Sequence, residues 1–295
     1  MNMEDKFDYI SYIDTDSLFL RLGYFLENQG VDMDMWNCLP QNDRVQFLIR
    51  LSKAVEKVIN SRSFAELQVG SYNSYVPQDD FSIKFKQEII CSNILHLGPK
   101  MYVYHTINNE GFDCDKIEAK GVEIVRSTSP KVFRVALKGL LEHLLKGKDD
   151  EFLSNLVEEH KKNFHKAIPE EISINTGINN ISQYVNEDFG YGKGTPYHIK
   201  GVANYHFLLK ELGIANKYEQ IKEGDKCRVV YLRKNRFGFD VITYYRWPEE
   251  FAKNGISVDY QTMIDKYFLA KAHIILDPIN RQKILDDKTT MDMFF

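Results

Sequence analysis

FDYISYIDTDSLFLRL, residues 7–22, is the stretch whose reading decides the rest. Tyr9, Ile10, Tyr12 and Ile13, and then Leu18, Phe19 and Leu20, have strand character. Asp14-Thr15-Asp16-Ser17 between them is turn chemistry. The stretch therefore predicts two strands around a tight turn that sets Asp14 and Asp16 two residues apart on a rigid support. Hard cations such as Mg²⁺ take oxygen ligands and keep several waters and substrate phosphates. Two such metals about 3.5–4 Å apart can activate an attacking oxygen and stabilise a leaving one in phosphoryl transfer. A calcium loop starting at Asp14 fails, because Phe19 stands where Gly is required and Phe25 where Glu is required. An ordinary Asx turn is the competing reading of the four residues taken alone.

Outward from the hairpin, residues 43–60 follow helical spacing, with Leu48, Leu51, Val55 and Val58 on one face. Residues 81–105 return to strand character, and Asn108-Asn109-Glu110-Gly111 reads as a hairpin turn into a further strand. At Ser129-Pro130 the character changes. Ser129 can cap a helix whose first position suits Pro130. Phe133, Leu137, Leu140, Leu141 and Leu144 form its stripe, and Gly147 ends it. Asp149 or Asp150 can cap the next helix. Residues 175–196, rich in Gly and Asn, read as a loop that lets backbone approach a ligand closely. Residues 228–232 and 240–245 read as short strands and 259–275 as a helix.

The sequence has 295 residues, 43% of them hydrophobic, so a globular chain of one or two domains is expected. Cys38, Cys91, Cys114 and Cys227 lie far apart with no CxxC pair, which argues against a structural zinc or a disulfide framework and fits a reducing compartment. The acidic start MNMEDKFDYI predicts no secretory signal. No apolar run approaches the ~20 residues that span a bilayer. A net charge of −4 and a pI near 6.1 argue weakly against nucleic acid. From Lys193 to Arg236, however, ten Lys/Arg face four acids, leaving six uncompensated positive charges. A basic face beside an acidic one suits an enzyme that grips phosphates in one place and metals in another. A merely solvated surface is the alternative.

Tyr12-Ile13-Asp14-Thr15-Asp16-Ser17 resembles the Y-x-D-T-D-S hairpin of the palm in family B DNA polymerases. Lys100-Met101-Tyr102 resembles that family's K-x-Y motif, with Pro99 where a second basic residue often stands. Phe85-Lys86-Gln87-Glu88 resembles the palm strand before it. Residues 121–138, GVEIVRSTSPKVFRVALK, resemble the passage from palm to thumb, with its S-x-P-K helix start. Residues 178–181 (INNI), 195–201 (TPYHIKG) and 223–226 (EGDK), and the Trp247-Pro248 pair, resemble thumb segments of the T-even-type phage members. Met291, Phe294 and Phe295 in the final KTTMDMFF have the spacing of a clamp-binding peptide.

The resemblance implies an α+β fold, with a palm-derived antiparallel sheet and helices over residues 1–122. A mostly helical thumb over 123–287 and a clamp-binding tail over 288–295 follow. It implies Asp16 as the ligand bridging two Mg²⁺ ions, Asp14 beside it, and Glu88 as a secondary acid. It implies primer–template contacts from Lys100, Tyr102, Lys131, Lys193, His198 and Lys200, with dNTP as substrate. The exonuclease domain, the motif A aspartate and the fingers lie upstream of this hairpin in the family. The chain is therefore expected to serve DNA replication as a split-gene subunit or fragment, completed by a separate N-terminal chain. It is expected in the cytoplasm of a phage-infected host, docked to a sliding clamp and away from membranes. A non-catalytic module binding duplex and clamp is the alternative.

Overall fold

A computed structural model describes residues 9–14, 17–71, 84–122 and 129–286, the side chains of 62–71 excepted. The chain divides into two compact units, Met1–Lys120 and Gly121–Phe295. The fold class is α+β, with three small antiparallel sheets among the described residues.

The first unit opens with the expected hairpin, β1 (Ile10–Asp14) and β2 (Ser17–Leu20). Three helices follow: α1 (Leu22–Asn28), α2 (Met33–Cys38) and α3 (Gln41–Ser71). Asp32 starts α2 by accepting from Asp34 N and Met35 N, which satisfies donors that the first helical turn leaves open. The buried side of α3 differs from the expected stripe. Val45 is its fully covered residue and packs with Ile90 and Ile107, while Val58 stands 54% exposed. The covered face runs through Leu48, Ser52, Val55 and Ile59, one residue beyond the position the apolar count selected.

A three-stranded meander, β3 (Ile89–Gly98), β4 (Met101–Asn109) and β5 (Phe112–Lys120), completes the unit. The Glu110-Gly111 turn joins β4 to β5 with positive φ at both residues, as a tight hairpin requires. Residues 84–88, expected as a strand, are extended without ladder pairing. Side chains of α3 take the ladder's place. Asn60 brackets Phe85, its Nδ2 donating to the carbonyl at 2.8 Å and its Oδ1 accepting the N–H at 2.7 Å. Glu56 accepts Gln87 N at 3.0 Å.

The second unit is built on β6 (Ile174–Gly177), β7 (Lys226–Tyr231) and β8 (Val241–Tyr244), paired in that order. Two of these strands follow the sequence reading. β6 lies in the segment read as loop. Helices α4 (Lys131–Leu145) and α5 (Asp150–Phe164) come first. Gly147 at φ +77 follows the end of α4, and Asp149 caps α5 by accepting Phe152 N at 2.8 Å. The start of α4 is shifted by one residue from expectation. Pro130 is the capping residue, its carbonyl taking Arg134 N, and Ser129 is buried with its hydroxyl bound to the Lys271 ammonium.

Short helices α6 (Pro169–Ile172) and α7 (Ile181–Tyr184) precede α8 (Tyr197–Glu211), and α9 (Glu250–Lys253) follows β8. The helix expected over 259–275 is broken in character. It runs as α10 (Tyr260–Ile264), a π-helical turn (Asp265–Leu269) and α11 (Ala270–Leu276). Phe268 from the π turn joins Phe133 and Phe164 in a cluster with centroids 4.6–6.4 Å apart. Such aromatic packing contributes beyond the area it buries.

The closest approach in this unit is between α8 and β8. Thr243 Oγ1 donates to the His198 carbonyl at 2.7 Å, and Asn204 Nδ2 donates to the Val241 carbonyl at 2.8 Å. Gly201 lies between these two bonds, where a Cβ would fall 2.6 Å from Thr243 N. Gly201→Ala is expected to destabilise the protein by about 1–3 kcal/mol through overpacking against backbone. Gly139→Ala in α4, where nothing lies within 4 Å of the added methyl, is expected to stabilise it by about 0.5–1 kcal/mol. Urea unfolding of the two variants checks the contrast.

Candidate functional site

The hairpin is too short to hold itself together, since an isolated two-stranded sheet is marginal in water. It is seated by aromatic packing on the meander. The Tyr12 ring lies 5.3 Å from that of Tyr102 and 5.1 Å from that of His96. Phe19 meets Tyr102 edge-on at 5.5 Å and Tyr104 at 6.0 Å. Hydrogen bonds fix the docking. Ser11 Oγ lies 2.9 Å from His96 Nε2, and the Tyr12 hydroxyl accepts Lys100 N at 2.7 Å. Lys100 holds a left-handed backbone, φ +58, in the tight turn between β3 and β4.

That geometry decides where the acidic residues sit. Asp14 ends β1 opposite Ser17, whose hydroxyl donates to the Asp14 carbonyl at 3.1 Å. Lys100 Nζ lies 3.7 Å from Asp14 Oδ1, with the lysine side chain 75% exposed. An ion pair this exposed contributes little to stability and leaves the lysine free to exchange partners. Asp14, Glu88, Lys100 and Tyr102 all line one cleft of about 1520 Å³, which Arg21 and Arg44 also border. Glu88 is exposed, and its carbonyl accepts Glu110 N at 2.7 Å. Burial raises the Tyr102 hydroxyl above its ordinary value, and the Asp14 carboxylate pushes in the same direction. Burial lowers the His96 imidazole, with Arg21 adding to the effect.

Asp16 lies outside the described residues, as do Met291, Phe294 and Phe295. Among the described residues no group of three or more His, Cys, Asp or Glu side chains is placed to hold a metal. The carboxylate of Asp14 is the right donor for Mg²⁺ in kind. The described donor set falls short in number.

In the second unit the proposed contact residues sit around the start of α8. Lys193 is exposed in the loop that precedes it, beside Gly194 at φ +92. Thr195 closes that loop, its hydroxyl donating to the Gly192 carbonyl at 2.9 Å. His198 and Lys200 occupy the first turn of α8, Lys200 Nζ lying 6.0 Å from the Tyr191 ring centre. Burial lowers the His198 imidazole below its ordinary value. Lys131 is the exposed first residue of α4.

Several segments that the sequence singled out fasten one another. Glu223 accepts Ile181 N at 3.0 Å and also Asn180 N, which satisfies the start of α7. Ile178 N donates to the Asp225 carbonyl at 2.9 Å, and Gly224 N donates back to Ile178 at 2.8 Å. The INNI and EGDK segments are thus two sides of one clasp. The Trp247 ring packs on Tyr244 and Phe251, and the Trp247 backbone N–H donates to Glu170 Oε1 at 3.0 Å. The sequence reading missed Ser11 and His96 as the residues that dock the hairpin. A strand periodicity carries no mark of such a cross-sheet bond.

No protein-family model matches the sequence. The chain is 26% identical over 281 residues to the DNA-directed DNA polymerase of Enterobacteria phage T4, covering 89% of this chain and 29% of that polymerase. It is 25% identical over 283 residues to the DNA-directed DNA polymerase of Escherichia phage RB69, covering 88% and 29%. This chain is similar to two phage DNA polymerases over most of its own length. It spans less than a third of the length of the curated relatives it matches. At 88–89% of this chain, each match is longer than either compact unit alone and so extends into both. Among the described residues, no helix is long and apolar enough to cross a membrane.

A half-buried imidazole gives the second unit a pH dependence. His206 Nε2 accepts Ile221 N at 2.9 Å, so the ring is neutral, and burial lowers its pKa. A histidine depressed in the fold contributes stability that is present above its unfolded value of about 6.5 and is lost as the pH falls toward the folded value. Melting temperature is therefore expected to drop between pH 7.5 and 5.5. His206→Gln, whose amide oxygen can accept the same N–H without titrating, is expected to show a smaller drop.

Proposed function

We propose that this chain is the palm-end and thumb portion of a family B DNA-directed DNA polymerase, working with a separate chain that carries the rest of the enzyme. The observation that carries this reading is the similarity to two phage polymerases over 88–89% of the chain, together with an acidic residue on a β-hairpin docked against the K-x-Y turn. On this reading Asp16 and Asp14 contribute carboxylates to a two-Mg²⁺ site. The metals, when bound, would supply charge stabilisation for nucleotidyl transfer from dNTP to a primer end. Lys100, Tyr102, Lys131, Lys193, His198 and Lys200 hold primer–template duplex. Glu88 is a secondary acid on the cleft. Met291, Phe294 and Phe295 anchor the chain to a sliding clamp as apolar and aromatic plugs.

Lys100 has a specific place in this scheme. Its backbone is tied to Tyr12 while its ammonium hovers near Asp14. A metal or a phosphate arriving at the hairpin would compete for the same charges, so the lysine can swing to a DNA phosphate without disturbing the turn.

The chain alone is expected not to extend a primer. Mixed with a chain carrying the remaining polymerase segments, it is expected to add nucleotides in a Mg²⁺-dependent way. Asp16→Asn should lower that synthesis by on the order of 10²-fold or more while assembly and duplex binding persist. Primer extension beside a mobility-shift assay separates these outcomes. Robust synthesis by the isolated chain, or near-normal turnover by the variant, would contradict the reading.

The tail makes its own prediction. Phosphate contacts weaken as salt rises, whereas a tether raises local concentration without touching DNA. Deleting Met291–Phe295 should therefore be nearly silent at low salt and should shorten products at higher salt, in the presence of clamp alone. Identical responses to clamp by truncated and full-length chains at every salt concentration would remove the tail from docking.

A further inference from the structure

We infer that the loop joining β7 to β8, residues 232–240, is a preformed phosphate grip that takes the backbone of a DNA duplex through Arg233, Lys234 and Arg236. The inference rests on the duplex-holding reading of the second unit and adds a contact which that reading does not include.

The loop sequence is LRKNRFGFD, and its residues 233–239 hold three cations and no acid. Its shape is set by one side chain. Asn235 Nδ2 donates to the carbonyls of Arg233 at 2.9 Å and Phe239 at 2.7 Å. Asn235 Oδ1 accepts Phe237 N at 3.1 Å and Phe239 N at 3.4 Å. A single amide thus holds four backbone groups. Gly238 at φ +71 makes the turn, and Leu232 N closes the loop on the Asp240 carbonyl at 2.9 Å. Below the backbone, Phe239 meets Phe207 of α8 at 5.5 Å and 89°, and Phe237 stacks on Phe239 at 6.0 Å and 16°. Arg236 lies over the Phe237 ring at 4.7 Å and also reaches Asn254 at 3.2 Å.

Binding normally costs the entropy of ordering the loop that makes the contact, and here folding has already ordered it. Arg233 and Lys234 stand exposed on that fixed backbone. Guanidinium groups match phosphate oxygens in a planar fork, which suits the arginines to this ligand. The aromatic rings decide between duplex and single strand. Unpaired bases are gripped by stacking on free ring faces. Phe237 is covered by Arg236 and Phe239 packs on Phe207, so the loop offers charge to a backbone and little platform to a base. Phe207 lies on the same helix as Lys200, about 10 Å farther along its axis at 1.5 Å per residue. One rigid element therefore carries the loop and the α8 contacts together.

The test uses the full chain and a labelled 20-base-pair DNA duplex, with affinity read by fluorescence anisotropy between about 50 and 200 mM salt. Arg233→Ala with Lys234→Ala is expected to reduce the slope of log affinity against log salt by about 2, roughly 0.9 for each lost phosphate contact. Asn235→Ala keeps every charge, so it is expected to weaken binding roughly two- to tenfold with little change in slope. An unchanged slope for the double variant overturns the inference. So does a loss confined to a single-stranded oligonucleotide of the same length. Lys200→Ala separates the two readings. If it lowers the slope and the loop variants do not, the loop alone is rejected. If the unaltered chain shows no salt-dependent duplex binding, the duplex reading fails and the inference with it. Should Asn235→Ala not fold, the exposed double variant decides.

Discussion

The first unit depends on the packing of Tyr12 and Phe19 against Tyr102. A hairpin of five and four residues cannot persist in water without an apolar surface to lie on. The three rings provide that surface, and two hydrogen bonds, one between Ser11 Oγ and His96 Nε2 and one from Lys100 N to the Tyr12 hydroxyl, choose one position on it. Aromatic packing gives most of the energy and little of the direction. The bonds give direction, because a hydroxyl reaching a single backbone N–H tolerates less than an ångström of displacement. Asp14 therefore takes its place beside the Lys100 ammonium as a consequence of contacts made by its neighbours.

The same division of labour explains what the sequence could and could not tell. The pairing of Asp14 with Ser17, the Glu110-Gly111 turn, the Asp149 cap and the stop at Gly147 were all legible, because each is decided within about four residues by backbone chemistry. The buried face of α3 was misjudged by one position at Val58. Apolar character is a local property, and which side of a helix is covered depends on a sheet far along the chain. Residues 84–88 read as strand by composition. Asn60 and Glu56 hold that segment to the helix instead, which no local pattern announces. The π turn at Asp265–Leu269 is another global effect, since it brings Phe268 into line with Phe133 and Phe164.

At the candidate site, the structure gives partners to residues that the sequence singled out. Asp14, Glu88, Lys100 and Tyr102 were chosen from motifs separated by up to 88 positions, and they line one cleft. The bonds that brought them there, from Ser11, Tyr12 and His96, were invisible because serine and histidine on a strand look like any half-exposed pair.

The segments INNI and EGDK have a framework role. Glu223 holds the start of α7, and Ile178 exchanges backbone bonds with Gly224 and Asp225, so these residues build the clasp that positions the loop leading to α8. Gly201 does the same for α8 itself by admitting Thr243 to within hydrogen-bonding distance of the helix backbone. Such residues are constrained by geometry whatever the surface binds. The exposed cations around them are constrained only by a partner. An overall charge of −4 then coexists with the basic stretch from Lys193 to Arg236, because framework positions set the fold and leave the charge of each face open to a separate requirement.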